Sequence, residues 1–174
     1  MHKGDRTSTT RFGGETLEGN EPAAAGQNAR RPAPLRGAGD LRLAIVVDPS
    51  LPPGLLANTV AVVAAGLGAA CPGIAGVPMT DADGRGFLNS ADRPIPVLQA
   101  DAAGLAALLA RLGEPPADAA VVPFPAFARA LHAFSDYADV LPTRRLAEER
   151  LEGIGLAGPS RWVRSLTGSL KLLR

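Results

Sequence analysis

The sequence from Leu41 to Arg174 predicts an α/β fold: a three-layer α/β/α arrangement with a central mixed sheet covered on both faces. Three observations carry that prediction. Short apolar runs of strand length alternate with helix-length apolar or amphipathic stretches along this whole region. The first run, Leu41 to Val47, is apolar but for Arg42 and does not alternate, as in a strand buried on both faces. Hydrophobic residues make up 46% of the chain and charged residues 20%, enough to build a core. Aromatics are only 4%, so that core must be made of Leu, Val, Ile and Ala.

The elements follow in order. Residues 1–40 are rich in Gly, Ala, Pro, Thr and Arg with no helical or strand period, and are expected to form a disordered tail. After the Leu41–Val47 strand, Pro53 stands where a helix tolerates proline, and a helix is expected from Gly54 to about Ala69. It is apolar on nearly all sides, so it should be sandwiched between layers. Gly73 to Met79 reads as a strand. Asp81-Ala82-Asp83-Gly84 reads as a hairpin turn rather than a calcium loop, since the later carboxylates are missing, and Arg85 to Leu88 returns antiparallel.

Ile95 to Gln99 is a further strand starting near an edge, because Pro94 and Pro96 flank its beginning. Asp101 caps a helix whose Leu105, Leu108, Leu109 and Leu112 form an amphipathic stripe. Ala119 to Val122 is a strand, and Pro125 opens a helix with Phe127, Leu131 and Phe134 on one face. Thr143 caps a short charged helix through Leu151, Gly153 to Ala157 is the last strand, and Pro159 starts a helical turn through Leu166.

Composition narrows the chemistry. The single cysteine, Cys71, excludes an intramolecular disulfide and fits a reducing, cytoplasmic setting. One Cys and two separated His do not make a structural zinc site, so no metal and no cofactor is expected. The formal charge is +1, with a basic closing stretch from Arg144, which is not the balance of a dedicated nucleic-acid binder. The apolar stretch Leu55 to Ala70 is interrupted by Asn58, Thr59, Gly66 and Gly68. It falls short of the ~20 residues of a bilayer span, so no membrane partner is expected.

Several blocks in order resemble one bacterial family, filed as domain of unknown function two thousand. They are Ile45-Val46-Val47-Asp48, Leu51-Pro52-Pro53-Gly54, Asn58 within the Ala/Val-rich helix, Gly76 with Asp81 and Gly84, Pro94-Ile95-Pro96-Val97-Leu98, and Leu166-Thr167-Gly168-Ser169-Leu170. The closing residues, Gly158-Pro159 and Thr167 to Leu173, are also similar to the archaeal and eukaryotic type of peptidyl-tRNA hydrolase, which implies that fold. The activity is not implied with it. Where those enzymes carry Lys, Gln and His along the first helix, this chain aligns Leu55, Thr59 and Val62. Their Asp-Ala-Gly falls on Pro123-Phe124-Pro125, so no catalytic residue is carried over.

The remaining candidates are ligand-binding ones. Asp48 closes the first strand, Gly54 opens the helix, and Asn58 and Thr59 interrupt its apolar surface one turn later. The carboxyl end of a strand facing a helix N-terminus is a common crevice in α/β sheets. Thr167 and Ser169 offer hydroxyls in the closing block. Each also has a purely structural reading, Asp48 in a loop turn and Thr167 at a helix end. His132 and Asp136, four apart, read as an exposed pair on the Pro125 helix.

The function expected is therefore that of a small-molecule or anion-binding or accessory protein. The alternatives are a divergent hydrolase of peptidyl-tRNA-like esters and a homodimerising structural or regulatory module.

Overall fold

The computed structural model describes residues 40–174; apart from Asp40, the expected tail lies outside the described residues. A five-stranded mixed sheet has the order β5 (Ala120–Pro125), β6 (Leu151–Pro159), β1 (Leu41–Val47), β4 (Val97–Gln99), β7 (Lys171–Leu172). β1 runs parallel to β4 and antiparallel to β6, and β5–β6 and β4–β7 are antiparallel. A separate hairpin joins β2 (Pro78–Thr80) to β3 (Gly86–Leu88). Helix α1 (Pro53–Ala70) covers one face; α2 (Ala102–Leu112) and α4 (Ser160–Thr167) cover the other.

The two-sided burial of β1 explains its uninterrupted apolar run. Leu43, Ile45 and Val47 pack with Val63 and Leu67 of α1, while Ala44 and Val46 pack with Leu105 and Leu108 of α2 and Val163 of α4. The central β6 divides in the same way. Ile154 and Leu156 face α2 and α4, and Gly153 and Gly155, which alternate with them, let α1 come close. A Cβ at Gly155 would lie 2.5 Å from Val63 Cγ1, and one at Gly153 would lie 2.7 Å from Thr59 Cγ2.

Local chemistry sets several ends as expected. The Asp101 carboxylate accepts from the Gly104 amide at 2.7 Å, and Gly113 with φ 55° ends α2. The Asp81 carboxylate accepts from the amides of Asp83 and Arg85, each at 2.9 Å, and Gly84 takes φ 81°, which makes the segment a hairpin turn.

Other expectations are corrected. Helix α1 is not sandwiched: Thr59, Val63 and Leu67 are its buried residues, and its outer surface, with Val62 46% exposed, faces outward. Alanine-rich flanks give an apolar composition without needing cover. At 18 residues, α1 is long and apolar enough by composition to cross a membrane; its buried face packs on the sheet. The strand expected from Gly73 begins instead as a 3₁₀ turn, Pro72–Ile74, because Pro72 and Gly76 at φ 83° interrupt pairing until β2 starts at Pro78. Pro125 ends a strand rather than opening a helix. A 3₁₀ segment, Ala126–Ala130, follows, and α3 (Phe134–Val140) starts later. The charged helix expected after Thr143 is replaced by 3₁₀ turns, Leu141–Thr143 and Leu146–Glu148. β6 is longer than expected, Leu151–Pro159, because β5 pairs with it from Leu151 and β1 pairs with it as far as Pro159.

Candidate functional site

Asp48 leaves β1 buried, at 2% exposure, where the chain turns toward α1. Its carboxylate accepts from the Ser50 amide at 2.9 Å, the Ser50 hydroxyl at 2.6 Å and Arg150 Nη2 at 3.2 Å. Burial pulls its pKa up, but the Ser50 and Arg150 hydrogen bonds outweigh it and hold the carboxyl below its ordinary value. Its acceptor capacity is spent on its own turn and on Arg150. Gly54 is exposed, with open space where a side chain would be.

Thr59 and Asn58 part company. Thr59 is fully buried; its hydroxyl donates to the Leu55 carbonyl at 2.9 Å and accepts from Arg129 Nη2 at 3.0 Å. Asn58 is exposed and lines a cleft. Thr167 is buried on the opposite face of the sheet from α1, its hydroxyl bonded to the Val163 carbonyl at 2.7 Å, and Ser169 is exposed beyond it. The structure thus places Asn58 on the cleft and Thr59 behind it, and ties Asp48 to its own turn and Arg150, and Thr167 to its own helix.

The feature that sequence reasoning missed is Arg129. It lies in the 3₁₀ segment Ala126–Ala130 and reaches back under the sheet edge to Glu152, which is 7% exposed on β6. Nε donates to Glu152 Oε2 at 3.0 Å, and Nη2 donates to the same oxygen as well as to Thr59. The Phe124 ring stands 5.3 Å from the guanidinium carbon. Nη1 remains buried without a partner among the described residues. The signals were there in retrospect: one arginine within Pro123 to Leu131, and one glutamate inside a strand of glycines and aliphatics.

Arg129 forms part of the wall of a cleft of about 700 Å³ between α1 and residues 121–137. Val62, Gly66, Val122, Phe124, Leu131 and Phe134 make most of it apolar; Asn58, Arg129, His132 and Tyr137 are its polar side chains. Phe134 is 82% exposed at the rim, and its ring and that of Phe127 lie 6.5 and 6.0 Å from Tyr137. Burial pushes the Tyr137 phenol up, so it stays a donor. His132 precedes α3 instead of sharing a helix with Asp136, and no hydrogen bond joins the two among the described residues. The lining offers donors and apolar surface, with no Ser, Cys or carboxylate to serve as a nucleophile.

No curated protein matches the chain. Among solved structures, the chain is similar to one described as a protein of unknown function, Atu0240 from Agrobacterium tumefaciens strain C58. The TM-score is 0.69 at 21% identity, covering 76% of this chain and 97% of that one. That likeness concerns the fold alone. A family model described as protein of unknown function (DUF2000) matches residues 41–174, and the chain belongs to that family.

Proposed function

We propose that the protein is a binding or accessory protein that holds a small, largely apolar molecule bearing a hydrogen-bond acceptor or anionic group in the cleft between α1 and residues 121–137. One observation carries the reading: Arg129 is fixed from behind by Glu152 and Thr59, yet keeps an unpartnered Nη1 beside an apolar cleft. A few placed polar groups in a mainly apolar concavity of this size is the usual make-up of a small-molecule site. The buried Cys71 thiol, which desolvation keeps protonated, is compatible with a cytoplasmic location.

The finer fold assignment, with the type-two peptidyl-tRNA hydrolases, belongs to the same reading. It is supported by the closing block Gly158-Pro159 and Thr167 to Leu173. It also bears on chemistry, because Val62 lines this cleft and Thr59 lies behind it. Those are the positions aligned with the hydrolases' His and Gln. A valine and a hydroxyl spent on Leu55 and Arg129 favour binding over ester cleavage.

The experiment is a thermal-shift and calorimetric screen of phenyl- and indole-bearing carboxylates and amides, run in parallel with a peptidyl-tRNA cleavage assay. Saturable stabilisation that weakens at least fivefold in Asn58→Leu and Arg129→Lys, without cleavage, is the expected result. Absence of any binder, or binding untouched by both substitutions, removes the cleft. Turnover above buffer replaces the binding reading with the hydrolase one.

A further inference from the structure

A second concavity, of about 520 Å³, lies at the opposite end of β1, where the strand begins. Arg42 from β1, Arg93 from the loop before β4 and Arg164 from α4 line it, together with Ser160 at the start of α4. Arg93 is already engaged. Nε and Nη2 donate to Asp92 at 2.7 and 2.9 Å, and Nη1 donates to the Leu41 carbonyl at 2.8 Å, fixing the start of β1. Arg42 and Arg164 have no ion-pair or hydrogen-bond partner for their guanidinium groups among the described residues, and Arg42 Nε is buried with nothing to bond to. The Ser160 amide donates to the Asp40 carbonyl, while its hydroxyl is unengaged among the same residues.

Three arginines from separate elements converging on one hollow repel one another, and an unsatisfied buried N–H adds to that cost. Asp92 offsets Arg93 alone, and the exposed Asp40 at the rim is the other carboxylate present. A compact anion with several oxygens would satisfy Arg42, Arg164 and the Ser160 hydroxyl together, and guanidinium forks match phosphate oxygens in pairs. We infer that this hollow is a binding site for a phosphate group, either free or as the phosphomonoester of a small molecule. It is independent of the α1 cleft.

The test uses the full chain, with inorganic phosphate and glycerol phosphate titrated against sodium chloride at matched ionic strength. Saturable binding with a rise in Tm of roughly 3–8 °C over the chloride control is expected. Arg164→Gln and Arg42→Gln should each weaken it by about tenfold or more. Arg161→Gln, on the same helix but outside the hollow, should leave it unchanged. Arg164 is exposed, so its variant keeps the test valid if Arg42→Gln does not fold. Equal affinity for the two probes assigns the site to phosphate itself; tighter glycerol phosphate binding assigns it to a phosphorylated small molecule. A rise no larger than that with chloride overturns the site, as does binding that Arg161→Gln weakens as much as Arg164→Gln.

Discussion

Glu152→Gln removes one charge from the pair that anchors the α1 cleft. The Glu152 side chain is 10% exposed and that of Arg129 21%, so water reaches the cation only in part. Breaking a fully buried pair by deleting one partner costs about 3–5 kcal/mol. Here the arginine can partly rehydrate, and glutamine keeps one acceptor for Nε or Nη2, which lowers the expectation to about 2–3 kcal/mol. For a domain of this size that corresponds to a fall in Tm of roughly 6–15 °C. The pair's own worth is a separate quantity. In Arg129→Met/Glu152→Leu no charge is left stranded, and the double variant should lie within about 1.5 kcal/mol of wild type, less destabilised than Glu152→Gln. Urea unfolding of the wild type, Arg129→Met, Glu152→Leu and the double closes the cycle, with Glu152→Gln measured beside it. Single-variant losses under about 0.5 kcal/mol, or losses that simply add in the double, would refute the picture of a coupled, largely desolvated pair.

Other variants probe the frame around the site. Gly155→Ala drives a methyl into Val63 and Leu67 and should destabilise by about 2–4 kcal/mol by urea midpoint, because α1 cannot retreat without opening the core. Asp101→Ala should cost about 1 kcal/mol while leaving α2 helical by circular dichroism, since it removes the acceptor for the Gly104 amide. Asp48 has a depressed folded pKa, so the unfolded state takes up its proton first as pH falls. Its contribution is fully present above its unfolded value of ~3.9 and is lost below it, as pH drops through the folded pKa. Asp48→Asn should therefore flatten the acid limb of stability below about pH 4 relative to wild type. An unchanged limb would place the acid sensitivity elsewhere.

Legibility followed the range of each interaction. β1 reads directly from Leu41 to Val47, because a strand buried on both faces needs nothing but apolar residues. α2 and the Asp81 turn read as well, since their caps and carboxylate contacts fall within four residues. β6 was foreseen only as Gly153 to Ala157. Glycines argue against a strand by propensity, and their reason for being there is α1, whose packing no local window contains. The site was less legible still. Asn58 and Thr59 stood out as polar residues on an apolar helix, but Thr59 earns its place through Arg129, 70 residues away, and Arg129 through Glu152, 23 residues on. Each stands out as a lone charge in an apolar stretch, but nothing local says that the two meet.

The same geometry explains why the cleft lies where it does. Gly153 and Gly155 draw the inner face of α1 down onto β6, and Gly66 brings the helix against Val122 of the edge strand β5. One face of α1 is thereby used up on the sheet, and the side bearing Asn58 and Val62 overhangs the sheet edge. The chain leaving β5 folds back as a 3₁₀ segment and then α3, walling the overhang with Leu131, Phe134 and Tyr137. Apolar residues at 129 and 152 would close that overhang at lower desolvation cost than an arginine and a glutamate do. Stability alone therefore does not call for the pair. What the pair adds is a guanidinium held from behind by Glu152 and Thr59 in the wall of a largely apolar cleft, the arrangement on which the proposed binding role rests.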